Sequence, residues 1–130
     1  MKLRIKGYSI RFRLGQSEVC RLATEGMIEE FTHFGPCSAQ RFGYALHASF
    51  QDPDVTAWFA DGRLVVHVPA ITIHKWARTD QVGIDAVQHL GDDHELRILI
   101  EKDFVCIDSP SGQSQDDAYP RPLEGACHVP

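Results

Sequence analysis

The feature that most constrains this chain is a change of hydrophobic period that occurs twice at one spacing. In the first half, Leu3 and Ile5 alternate with Lys2, Arg4 and Lys6, and after Gly7-Tyr8-Ser9 the alternation resumes with Ile10, Phe12 and Leu14 against Arg11 and Arg13. Alternation at period 2 with a turn between the runs predicts a β-hairpin with one apolar and one basic face. From Gln16 to Glu25 the period changes, because Val19, Leu22 and Ala23 fall at i, i+3 and i+4, which predicts a short amphipathic helix that Gly26 can end. Strands are then expected over about residues 28–34 and 41–50.

A shift of 54 residues brings the second half into step with the first: Ile5 falls on Phe59, Ile10 on Leu64, Phe12 on Val66, Leu14 on Val68, Val19 on Ile73, Leu22 on Trp76 and Ile28 on Val82. At the same offset Phe42, Tyr44, Leu46 and Phe50 fall on Leu96, Ile98, Ile100 and Phe104. The turn Gly7-Tyr8 falls on Asp61-Gly62, and Pro69 stands where a first helical residue belongs, since its missing N–H costs nothing there. The expected fold is therefore α+β, a compact β-barrel-like domain of two internally repeated β-β-α-β-β units, with an irregular C-terminal tail. The domain is expected over residues 1–108, with pseudo-repeats at about 3–50 and 57–104, and an acidic, proline-rich tail over 109–130. Phe12, Leu14, Val19, Leu22, Val66, Val68, Ile73, Trp76, Ile98 and Ile100 are the expected continuous core.

A chain of 130 residues can bury one such core without disulfides or metal. No apolar run approaches the roughly 20 residues of a membrane span, and the alternating start lacks the apolar stretch of a signal peptide, so a cytoplasmic location is expected. Cys20, Cys37, Cys106 and Cys127 are scattered, which reads as reduced thiols. The net charge of −5 is uneven: Lys2, Arg4, Lys6, Arg11 and Arg13 precede the first acidic residue, Glu18, whereas Asp108, Asp116, Asp117 and Glu124 face Arg121 alone at the other end.

Gly62-Arg63-Leu64-Val65-Val66-His67-Val68-Pro69, followed by a helix and Asp80-Gln81-Val82-Gly83-Ile84, resembles the pattern of AbrB-like swapped-hairpin domains over about 25 residues. That resemblance implies a DNA-binding β-barrel formed here as an internal pseudo-dimer. The whole chain resembles a small family of uncharacterised bacterial proteins through Met1–Gly7, Trp76-Ala77 with Asp80–Ile84, and Glu101–Cys106. The resemblance implies no activity.

The binding residues expected from the pattern are Lys2, Arg4, Lys6, Arg11 and Arg13, one side of the first hairpin, able to meet carboxylates or phosphates; the alternative is a solvated face that discourages edge pairing. The matching positions Trp58, Ala60, Val65 and His67 are not basic, and the acidic total also disfavours nucleic acid. No metal-ligand spacing occurs, and Cys106, Cys127 and His128 are the weak candidate ligands. Cys20 matches His74 at the same offset. Asp92-Asp93-His94-Glu95 is the densest titratable cluster, between two expected strands where a polar loop belongs, and no nucleophile motif or phosphate loop is present. No cofactor and no catalytic residue are expected. The leading reading is a non-enzymatic binding or interaction module whose basic face recognises an acidic protein, a small anion or its own tail, and it is compatible with a homo-oligomer. A small metal-dependent protein or enzyme and an AbrB-like DNA-binding regulator are the alternatives.

Overall fold

The computed structural model describes residues 1–104 and 117–120. β1 (Lys2–Lys6) and β2 (Ser9–Leu14) form the expected hairpin, turning at Gly7 with φ +55°. α1 (Gln16–Glu25) stops at Gly26, whose φ of 82° is the left-handed conformation that ends helices. β3 (Met27–His33) and β4 (Arg41–Ser49) follow, then β5 (Thr56–Ala60) and β6 (Arg63–Pro69). Asp61 and Gly62 join the last two with φ of 53° and 73°, as a tight two-residue hairpin requires. Pro69 is not the first helical residue: with ψ 132° it is still extended, ending β6 and standing as N-cap of α2 (Ala70–Arg78). β7 (Gly83–Gly91) and β8 (His94–Lys102) complete the α+β fold.

The eight strands form two four-stranded sheets, in the orders β1-β2-β8-β7 and β3-β4-β6-β5. Each sheet thus holds one hairpin from each half of the chain. Hairpin partners are antiparallel, but the central pairs β2–β8 and β4–β6 are parallel, a geometry no tight turn can connect. Their registers put Phe12 opposite Ile100 in one sheet and Val66 opposite Leu46 in the other. Ile28 pairs with Leu46 and Ile84 with Ile100, so Ile84, not Val82, occupies the place in its sheet that Ile28 has in the other.

Both sheets are open, and no closed barrel forms among the described residues. Side chains bridge between edges instead. The Gln88 amide on β7 accepts from Ala57 N at 2.5 Å and donates to Ala57 O at 3.1 Å on edge strand β5. The Met1 ammonium pairs with Glu18 on α1 and with Glu30 on β3, the latter at 2.7 Å. Burial opposes the charge on this amine, but hydrogen bonds to the two carboxylates raise its pKa above the ordinary α-amino value. The Gln88 bridge occupies backbone groups of edge strand β5 that would otherwise invite another strand.

All ten expected core residues are buried in one cluster that also takes in Ile10, Ile28, Leu46, Leu64 and Ile84. α1 and α2 pack on each other and each touches both sheets. Trp76 is fully buried and its indole N–H donates to Val82 O at 3.1 Å, satisfying the one polar atom that a buried tryptophan carries.

The N-terminus of α1 is closed from far along the chain. Gly15 precedes the helix and has no side chain with which to cap it, so residue 117 supplies the cap. Asp117 Oδ1 accepts from Ser17 N at 2.9 Å, Oδ2 accepts from Ser17 Oγ at 2.8 Å, and the Asp117 carbonyl accepts from Gln16 N at 2.8 Å. A Cβ on Gly15 would lie 2.7 Å from that carbonyl oxygen, so glycine is required for the approach. Tyr119 then packs beside Phe104, with its N–H donating to Asp103 O at 2.6 Å. Asp117→Ala is expected to cost about 0.5–2 kcal/mol, the usual value of a helix N-cap, measured as a shift of the urea midpoint with an unchanged slope.

Candidate functional site

The antiparallel register Lys2–Arg13, Arg4–Arg11 and Lys6–Ser9 fixes the face each residue occupies. Phe12 and Leu14 point into the core, so Arg11 and Arg13, with their partners Arg4 and Lys2, point outward. The structure therefore brings all five expected binding residues onto the outer face of one sheet. Lys2, Leu3, Arg4, Arg11 and Arg13 line a shallow groove there, with about 180 Å³ of space.

The charges on this face are not equivalent. Arg11 Nε donates to Glu101 Oε1 at 2.6 Å, and Arg13 Nε lies 3.7 Å from the same oxygen. Lys2 Nζ lies 2.9 Å from Asp103, and Arg97 on the same face lies 3.3 Å from Asp85. Arg4 and Lys6 are exposed and make no ion pair with a described residue. Glu101 and Asp103, absent from the sequence-level site, are brought in by the β2–β8 pairing. Only knowledge of that pairing could have revealed them. The result is a graded strip, neutralised near β8 and open toward edge strand β1.

The tail does not lie on this strip where it is described. Asp117, expected against the lysines and arginines, caps α1 instead, because the Ser17 amide and hydroxyl bind its carboxylate, and the Gln16 amide its carbonyl, more specifically than exposed ion pairs worth about 0–1 kcal/mol each. Asp116 lies outside the described residues, as do Cys106, Cys127 and His128. Cys20 is exposed on α1, and no group of three or more His, Cys, Asp or Glu side chains suited to a metal occurs among the described residues.

A model of one protein family, described as a family of unknown function (DUF7009), matches residues 1–123. The chain belongs to that family. No curated protein and no solved structure gives a match.

Elsewhere in this DUF7009 chain, the titratable cluster at 92–95 is the β7–β8 hairpin turn and the start of β8. Asp92 and Asp93 adopt φ of 47° and 64° to join β7 to β8, His94 stacks on Tyr8 at 5.1 Å between ring centroids, and Glu95 lies 3.7 Å from His89. The outer face of the second sheet has a different character. Trp58 and Met27 are exposed there, Arg63 pairs with Glu29, and His47 lies opposite His67 in the β4–β6 register. No helix among the described residues is long and apolar enough to cross a membrane.

Burial, then the charges of neighbouring His67 and Arg63, push the His47 pKa down, against a smaller opposing effect of Glu29. A histidine depressed in this way binds fewer protons folded than unfolded. Its contribution to stability is complete above the unfolded histidine pKa and is lost as pH falls through that value toward the folded one. The thermal midpoint is accordingly expected to fall between about pH 7.5 and about pH 5, and to fall less in His47→Gln. Scanning calorimetry of both proteins across that range checks it.

Proposed function

We propose that this chain is a non-enzymatic binding module whose β1–β2 face receives the carboxylates of an acidic partner protein. The observation that carries this reading is the register itself. Arg4 stands directly opposite Arg11 and Lys2 opposite Arg13, and like charges in directly opposed positions destabilise a strand pair. Glu101 offsets Arg11 and Arg13 only from the β8 side, so Arg4 and Lys6 present uncompensated charge beside the groove. A strip that is costly to fold and partly neutralised in place is suited to an anion supplied by a partner.

The scaffold behind this face is read as one domain, a pseudo-dimer of two barrel-like β-β-α-β-β units, β1 to β4 with α1 and β5 to β8 with α2. What supports the duplication is the matched registers: Phe12–Ile100 in one sheet becomes Leu46–Val66 in the other when each residue moves by the same 54 positions. The exchange of hairpins between halves also supports the AbrB-like resemblance, and with it a second reading as a DNA-binding regulator. Against DNA stands the asymmetry of the faces, since Arg4, Arg11 and Arg13 are replaced by Trp58, Val65 and His67 in the other sheet. The free thiols of Cys20 and Cys37 support a reducing, cytoplasmic setting.

Titration of the full chain with polyglutamate, and separately with duplex DNA, at low salt tests the proposal. Polyglutamate is expected to bind with steep salt dependence and to lose about tenfold in affinity, 1.4 kcal/mol, in Arg4→Glu/Lys6→Glu. Equal binding by the charge-reversed protein overturns the assignment of the face, and a clear preference for duplex DNA selects the regulator.

A further inference from the structure

The outer face of the β3-β4-β6-β5 sheet holds a second constellation, independent of the basic strip. Met27, His47, His67 and Thr56 form one row across the four strands, because Met27 is registered with His47, His47 with His67, and His67 with Thr56. Ile28, Leu46, Val66 and Val68 point into the core, so the residues next to them, Met27, His47 and His67, all stand on the opposite face. The two imidazoles meet edge to face, with centroids 5.4 Å apart and planes at 84°.

This pair lacks the attraction that holds the equivalent row of the other sheet. There, Glu101 and Arg13 occupy the corresponding positions and form an ion pair. His47 Nε2 is instead buried with no hydrogen-bond partner among the described residues, and it is the one side-chain polar atom of theirs in that condition. A buried nitrogen lone pair or N–H without a partner is a cost that proteins rarely leave unmet.

The spacing matches metal ligation. An imidazole bound through a ring nitrogen holds its centroid about 3 Å from the ion, so two of them on one tetrahedral or trigonal ion lie roughly 5–6 Å apart. Donor chemistry then selects the ion. Among the described residues no third His, Cys, Asp or Glu completes a site with these two, and the further donor in the row is the Met27 thioether. Two neutral imidazoles with a soft thioether favour copper(I) over zinc or a hard cation. The low charge of copper(I) also suits a position beside Arg63, whose own charge is offset by Glu29.

We propose that His47, His67 and Met27 form a copper(I) site on the outer face of the second sheet. Each side chain comes from a different strand, so the site exists only when β3, β4 and β6 are assembled.

The test is an anaerobic competition of the full chain against bicinchoninate for copper(I), with Cys20, Cys37, Cys106 and Cys127 replaced by serine so that thiols do not compete. One equivalent is expected to bind. His47→Gln and His67→Gln should each weaken it by at least about tenfold, Met27→Leu by a smaller factor, and His89→Gln, at an exposed position, by none. No binding, or equal binding by the His47 and His67 variants, overturns the site, and equal binding by Met27→Leu overturns the three-donor assignment. Should a variant fail to fold, the serine-substituted parent still decides the matter by NMR. The first equivalent should shift the His47 and His67 ring signals and the Met27 methyl, whereas shifts confined to other histidines contradict the proposal.

Discussion

The parallel pairing of β2 with β8 and of β4 with β6 is the constraint on which the rest of the structure depends. Through it each sheet takes one hairpin from each half: the β1-β2-β8-β7 sheet joins the two ends of the described chain, and the β3-β4-β6-β5 sheet joins the two halves across their midpoint. The contact joins residues as much as 90 positions apart, as in the Arg11–Glu101 ion pair, so its loop-closure entropy must be met before its contacts form. What meets it is the fully buried seam of Phe12, Ile98 and Ile100 in one sheet and Leu46, Val66 and Val68 in the other. Large side chains buried in this way contribute roughly 1.5–3 kcal/mol each. The helices then bring their own apolar faces, with Trp76 and Leu22 completely enclosed.

One backbone arrangement thereby presents two outer faces of different chemistry. On the β1-β2-β8-β7 sheet, β8 supplies Glu101 beneath the arginines and leaves β1 as the open, basic edge. On the β3-β4-β6-β5 sheet the same positions carry histidines, an exposed tryptophan and a methionine. The outward residues of the two sheets thus differ in chemistry although both sheets place a parallel pair between two antiparallel ones. That is the pattern expected when the core fixes the strands and the outward residues are left free for recognition.

Local structure was legible in the sequence because its signals are local. Alternation around Ile10, Phe12 and Leu14, the helical spacing of Val19, Leu22 and Ala23, and the glycine after Glu25 each act within a few residues, and each appears where expected. The five-residue strip was legible for the same reason, since β1 and β2 are joined by a short turn. Non-local facts were not legible. Which hairpin lies beside which decides that Glu101 neutralises Arg11 and that His47 meets His67, and no period in the sequence encodes it. The offset drawn through Val82 failed because the link from α2 to β7, Thr79–Val82, is longer than the single Gly26 between α1 and β3. The docking of Asp117 was missed because charge alone pointed to the strip, whereas unsatisfied helix amides bind a carboxylate more specifically. Gly15, a residue unable to cap the helix it precedes, was the signal that an outside cap was needed.

Native-state hydrogen exchange followed residue by residue at increasing urea concentration tests the interlocked pairing most directly. If both sheets depend on both halves, the central amides of β2, β4, β6 and β8 open only in global unfolding, and their exchange free energies converge on one value. Convergence of the two sheets on values clearly different from each other, with one half opening while the other stays protected, would contradict the account.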